Sequence, residues 1–274
     1  MIEKKSPAAA LIKWALRILL TIFAILPVYS AIIVALTPNA NLLKPQLWPH
    51  YFEINNFFNA FRFILPGLYN SFFYAVAVTL LNVVVAVPAA YALAKYRFRI
   101  KPVVMFSLLL TQMMAGIVVL PSLYSIFNKI GLLNNRLGTI IVLTGVNLAL
   151  VVWILYGYFR TLPTELEEAA MLDGANYLDL LFRIILPISG SGIAVGAIFA
   201  FINSYNEFVI PLFMLTDTKQ YPLTLYFYTL LTDTTTRWHI MSAGSLIAII
   251  PPVLIFIFFQ KYIVRGLTSG AVKS

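Results

Sequence analysis

Half of the ten acidic residues in this 274-residue chain fall in one stretch: Glu165, Glu167, Glu168, Asp173 and Asp179. Their spacing suits recognition more than bond-making. Glu165 and Glu168 lie one helical turn apart, Ala169 and Ala170 leave a low surface beside them, and Gly174 follows as a left-handed stop. Small side chains let another backbone approach, and carboxylates near a helix start are favoured by its dipole. Only Arg160 and Arg183 oppose them, so the stretch invites a positively lined partner; the alternative is a solvated amphipathic loop. Catalytic chemistry is not expected. His50 and His239 are isolated, cysteine is absent, and no nucleophile–base or metal-ligand cluster occurs. The Gly-x-x-x-x-Gly-Lys-Ser/Thr pattern is also missing, so this chain does not cradle nucleotide phosphates in a P-loop.

A second set of polar residues is scattered through apolar surroundings. Asn82, Gln112 and Asn147 lie inside hydrophobic runs, while Asn203, Tyr205, Asn206 and Glu207 cluster at the end of another. Polar groups in such runs are costly and mark pathways. The amides have two readings, hydrogen bonds to the hydroxyls of a passing solute or bonds between helices. Glu207 is either a buried pathway acid or an edge residue satisfied by water or a neighbouring base.

The elements that must hold these residues are membrane helices. The chain is 61% hydrophobic and 11% charged, with a mean hydropathy of +0.89. Ordinary soluble domains are nearer half apolar and a quarter charged. That composition excludes a soluble enzyme, a disordered chain and a disulfide scaffold. Six stretches are long and apolar enough to cross a bilayer: Arg17 to Leu36, Tyr69 to Ala94, Pro102 to Phe127, Leu137 to Phe159, Ile188 to Asn206 and His239 to Phe259. None alternates as a barrel strand does. The first follows Lys4, Lys5 and Lys13 but lacks a small-x-small cleavage site before Thr37, so it reads as a retained span. The expected fold is an all-α membrane protein forming one transmembrane domain over residues 1–274.

Of the 19 lysines and arginines, thirteen fall on one side of this arrangement and six on the other. The richer side is cytoplasmic by the positive-inside rule, which puts both termini and the acidic loop inside. The run Lys95, Arg97, Arg99, Lys101 is then a topology determinant, and the net charge of +9 does not imply nucleic acid. Pro88 and Pro251-Pro252 are expected to kink their spans. Gly192, Gly196 and Ala200 form a small-residue stripe for close helix contact. On the outer side, Thr37 to Gly67 either lies along the membrane surface or contributes to a docking face, and Phe208 to Leu215 is too short to span.

Within residues 160–187, Thr164 and Glu167 have capping-box spacing, which predicts a short helix from Glu165. Gly174 ends it, Asn176 starts a second, and Pro187 marks where the second breaks or bends. The pattern Glu168-Ala169-Ala170, Gly174, then Ile184-x-Leu186-Pro187 resembles the EAA signature of ABC importer permeases. Asp173-Gly174-Ala175 is similar to the version in sugar-importer permeases. Asn203 to Phe208 resembles that family's Trp-Asn-Glu-Phe block, with Tyr205 in the tryptophan position. Gln260 to Ser274 resembles the tail of the second permease of maltose-type systems.

The resemblance implies a type I permease subunit of the bacterial plasma membrane, taking up a carbohydrate such as an oligosaccharide. Its implied partners are a cytosolic ABC ATPase dimer holding ATP and Mg, a second homologous permease, and an extracytoplasmic solute-binding protein. Glu165, Glu168, Ala169, Ala170, Asp173, Gly174 and Pro187 would form the coupling element in the ATPase cleft, and the tail from Gly270 to Ser274 would touch the ATPase too. The alternatives are an importer permease for a non-sugar solute, or an ion-coupled secondary transporter. The last usually needs membrane-embedded acids and an internal repeat; Glu207 is the one acid available, and no convincing repeat is visible.

Overall fold

The computed structural model describes residues 7–38, 48–113, 116–232 and 237–268, and among these every regular element is helical. They are α1 (Pro7–Leu36), α2 (Asn55–Lys95), α3 (Lys101–Met113), α4 (Gly116–Lys129), α5 (Arg136–Phe159), α6 (Glu165–Leu172), α7 (Tyr177–Asp179), a π-helical stretch (Leu180–Ile185), α8 (Leu186–Ile188), α9 (Gly190–Asn206), α10 (Val209–Met214), α11 (Leu223–Thr232), α12 (Trp238–Ala248) and α13 (Ile250–Thr268). Four helices are long and apolar enough to cross a membrane alone: α1 from Ile12, α2, α5, and α12 with α13 as far as Tyr262. Two bent pairs raise the number to as many as six.

Those pairs are where hydropathy and geometry part. The third expected span, Pro102 to Phe127, is α3 and α4 at 103° to one another. With 13 and 14 residues, each is roughly 20 Å long and neither reaches across the hydrocarbon layer alone. Hydropathy reports what a segment dissolves in, not whether its backbone is straight. Tyr177–Ile188 and Gly190–Asn206 meet at 80°. Pro187 was expected to break the helix at its own position. It sits instead in the first turn of α8, where a missing N–H costs little, and the bend falls at Ser189. Pro251 and Pro252 similarly occupy the first turn of α13, after an interruption at Ile249.

The second span also begins well before Tyr69. α2 starts at Asn55 and runs 41 residues, about 60 Å, with Pro66 inside it. Hence most of the expected surface segment up to Gly67 that is described after Phe52 is helix. In the connection after α9, α11 was not foreseen at all, while the short run after Phe208 folds as α10.

The chain divides into two compact units, residues 1–65 with 227–250 and residues 66–226 with 251–274. In the first, α1 packs on α12 over a core containing Ala35, Ala60, Leu230, Ile240 and Ala243. Asn56 staples the start of α2 to the end of α1, its amide donating to the carbonyls of Ala35 (2.9 Å) and Thr37 (3.3 Å).

In the second unit α5 is the most enclosed helix and packs along α9. The stripe of Gly192, Gly196 and Ala200 is that contact. A Cβ on Gly192 would overlap the Tyr158 ring, one on Gly196 would stand 3.2 Å from Val151, and Ala200 is fully buried. Asn135 caps α5, its side chain accepting from Leu137 N. One hydrophobic core joins α2, α5, the 160–187 loop and α9 through Tyr91, Leu155, Phe159, Leu180, Ile185 and Ala200.

Candidate functional site

Two places in the second unit gather the residues that the sequence singles out. The first is the acidic loop. α6 begins at Glu165, but not through a capping box: Thr164 has helical dihedrals and its side chain makes no capping bond. Glu167 has another partner. Its carboxylate meets Lys95 Nζ at 2.8 Å, with the two side chains only 17% and 8% exposed, and Lys95 also donates to the carbonyl of Leu162 at 2.8 Å. A carboxylate that can pair with a buried ammonium gains more there than from one exposed backbone N–H. Lys95 is thus a buried clamp between the end of α2 and the loop, not a free surface charge.

The end of α6 follows expectation. Gly174 has φ +86°, its N–H bonds to Met171 O (3.1 Å), and Ala175 N–H bonds to Ala170 O (3.0 Å). These are the two bonds of a Schellman motif. Asn176 Oδ1 then accepts from Leu178 N and Asp179 N, starting α7. Beyond it the backbone widens into the π-helical stretch, with Leu186 N–H bonded back to Leu181 O.

This construction divides α6 into two faces. Glu165, Glu168, Ala169, Asp173 and Gly174 are exposed, together with Leu166 and Leu172, and Leu172 is 88% exposed. Ala170 is the correction. It was expected beside Ala169 on the open surface, but it is 7% exposed and belongs to the core with Leu180 and Ile185. Three residues before it, Glu167 points to the same inner side. An acid placed on a helix's buried face needs a cation; the sequence signals that need but not which of its basic residues meets it.

Aromatic rings extend the clamp. Phe159, Tyr91, Tyr96 and Tyr177 meet edge to face at 5.7, 6.0 and 5.8 Å in turn, linking α5, α2 and α7. Burial, with Tyr177 and the Glu167 carboxylate close by, keeps the Tyr96 phenol above its usual pKa. Lys101 and Arg160 both lie 5.7 Å from the Tyr156 ring.

The second place is a cavity of about 720 Å³. Five of the scattered polar residues line it: Gln112, Asn147, Asn203, Asn206 and Glu207. Leu120, Leu123, Val146, Leu150 and Ile210 supply apolar wall. Asn203 and Asn206 share a face at the end of α9 and are exposed. Asn147 has both of its anticipated roles, lining the cavity while its amide donates to Leu143 O (2.8 Å) and reaches Ser204 Oγ (3.4 Å) on α9.

Glu207 takes neither anticipated role cleanly. It lines the cavity and is half-buried, and its Oε1 caps α10, accepting from Val209 N (2.9 Å) and Ile210 N (3.2 Å). The partner seen for this oxygen is the first turn of α10. Asn82 and Tyr205 lie outside the cavity lining. Asn82 is fully buried and donates to Val78 O, and Tyr205 is buried and stacked on Phe201 at 5.8 Å. The tail from Gly270 to Ser274 lies outside the described residues.

A helical chain with several membrane-length apolar helices, a clamped acidic loop and a cavity of mixed polar and apolar wall fits the class of membrane transport subunits. Residues 82–269 match the family model described as binding-protein-dependent transport system inner membrane component. The chain belongs to that family. It is 30% identical over 285 residues to the arabinooligosaccharides transport system permease protein AraQ of Halalkalibacterium halodurans, covering the full length of both. It is 31% identical over 262 residues to the trehalose/maltose transport system permease protein MalG of Thermococcus litoralis, covering 93% of this chain and 94% of the other. Its fold matches a chain of a bacterial ABC transporter involved in the import of the acidic polysaccharide alginate, with a TM-score of 0.78 at 23% identity, over 94% of this chain and 98% of that one.

Proposed function

We propose that this chain is one of two non-identical permease subunits of an ATP-driven importer in a bacterial plasma membrane, admitting a carbohydrate, specifically an oligosaccharide, delivered by an extracytoplasmic binding protein. The observation that carries the reading is the two-faced α6. Glu167 and Ala170 fix its inner face to the bundle, which leaves Glu165, Glu168 and Ala169 outward for a partner. In this reading both termini and the loop face the cytoplasm, and the partner is an ABC ATPase dimer that binds ATP and Mg.

Closure of the ATPases around ATP draws the coupling loops together, and the loop's links to α5 and α9 turn that motion into opening on the far side. Nucleotide acts as a ligand with different affinity for two conformations. The cavity's mixed wall suits a sugar: amides for hydroxyls, aliphatic side chains for the C–H faces of the ring. The carbohydrate assignment is supported by the names of the two relatives, whose substrates are an arabino-oligosaccharide and trehalose or maltose.

The test is purification of this chain with its partner permease, ATPase and binding protein, followed by reconstitution. Loaded binding protein is expected to stimulate ATP hydrolysis and carbohydrate uptake. Stimulation by a non-sugar ligand alone removes the carbohydrate assignment, and uptake driven by an ion gradient without ATP removes the importer class.

A further inference from the structure

Resting on the reading above, we infer that Lys95 is a positioning residue that makes α2 a third load path out of the coupling loop, beside the covalent links to α5 and α9. The chain connects 160–187 to α5 at one end and α9 at the other, and nothing covalent joins the loop to α2. Lys95 does so with one ammonium, which forms an ion pair with the Glu167 carboxylate inside α6 and donates a hydrogen bond to the Leu162 carbonyl ahead of it. Both pair members are shielded from water, so the attraction is screened little by salt. The Tyr91–Tyr96–Tyr177 contacts join α2 to the loop a second time, beyond Gly174.

The same helix is fastened a second time, nearer its middle. About 40 Å away along α2, Asn70 donates to the carbonyls of Lys219 and Tyr221, both at 2.9 Å. Ser71 Oγ accepts from Leu223 N at 2.9 Å, and Tyr74 donates to Gln220 O at 3.0 Å. Residues 219–222 belong to the connection between α10 and α11, and Leu223 opens α11. Pro88 lies between the two fastenings and the helix continues through it, so the stretch from Asn70 to Lys95 moves as a strut and a displacement of α6 reaches that outer connection directly. Lys95 acts through Glu167 and touches neither nucleotide nor cargo.

The experiment uses the reconstituted complex with its binding protein and reads cargo transported per ATP hydrolysed, together with the binding protein's stimulation of hydrolysis. Lys95→Gln is expected to lower transport per ATP at least about fivefold, within the usual range of a coupling free energy. Lys95→Arg keeps the charge and both bonds and retains coupling, and the exchange Lys95→Glu with Glu167→Lys regains most of what either single change loses. Should Lys95→Gln fail to assemble, Glu167→Gln, which keeps an acceptor oxygen and loses only the charge, is read in its place. Assembled single variants that transport per ATP as the wild type does overturn the strut, as does an assembled exchange variant no better coupled than the singles. A wild-type complex that does not transport carbohydrate on ATP counts against the importer reading instead.

Discussion

Gly192 and Tyr158 are in such close contact that the glycine's missing side chain is the space the ring occupies. The tyrosine is not free to withdraw, since its hydroxyl reaches Ser191 Oγ at 3.1 Å and donates to Ile188 O at 3.3 Å. The α5–α9 seam and the elbow at Ser189 therefore share one ring. Gly192→Ala is expected to destabilise the seam by about 1–3 kcal/mol through overpacking. Gly145, with open space around its Cβ position, is the control, and Gly145→Ala should be close to neutral. Thermal unfolding of the detergent-purified chain followed by tryptophan fluorescence separates the two.

Coupling should fail at α6 without loss of the membrane bundle. Glu168→Lys reverses an exposed charge and is expected to abolish ATP-driven uptake while the protein still inserts. Gly174→Pro replaces a residue at φ +86° by one locked near −65° and destroys the Schellman turn. Uptake and membrane fractionation measured together decide it, and normal uptake in both variants would remove the coupling assignment.

Glu207 should tolerate loss of charge better than loss of its acceptor. Glu207→Gln keeps an oxygen for Val209 N and Ile210 N, whereas Glu207→Ala forfeits the cap at a cost of about 1 kcal/mol. Unfolding midpoints in the order wild type, Gln, Ala are expected. If Glu207→Gln is as unstable as Glu207→Ala, the carboxylate acts by its charge and not as a cap.

The cavity amides should set the apparent affinity of transport. Asn203→Leu and Asn206→Leu each remove hydrogen-bonding capacity from the wall, and a net hydrogen bond of about 1 kcal/mol corresponds to roughly a fivefold rise in KM. Binding-protein stimulation of ATP hydrolysis at saturating cargo is expected to persist. Asn82→Leu, outside the cavity lining, should leave KM alone; an equal KM rise there would detach the pathway from this cavity.

Much of this architecture was legible because its causes are local. The stop at Gly174 needs only a residue that accepts positive φ, the cap at Asn176 needs only a side chain that reaches two residues on, and the Gly192–Gly196–Ala200 stripe has a period that any close helix contact would use. What escaped depends on residues far apart in the chain. Nothing near Glu167 announces that its partner is Lys95, and a run of basic residues after an apolar segment satisfies the topology rule whether or not its first member is buried. The elbow at Ser189 was misplaced by two residues because Pro187 follows the π-helical stretch in the first turn of α8, where it does not break the helix. Ala170 was assigned to the open face because short side chains look alike from either side of a helix.

The connection after α10 has a consequence of its own. Asn134, at φ +50°, accepts from Thr216 N and Asp217 N through its side chain, while its backbone carbonyl accepts from Gln220 Nε2. Asp217 caps the turn at Thr218–Gln220, and Asn70 and Tyr74 take up the carbonyls that remain. A loop whose polar backbone groups are so fully engaged has little conformational freedom left to lose. A protein that lands on it meets a surface already in shape, and spends its contact energy on attachment rather than on freezing a wandering chain.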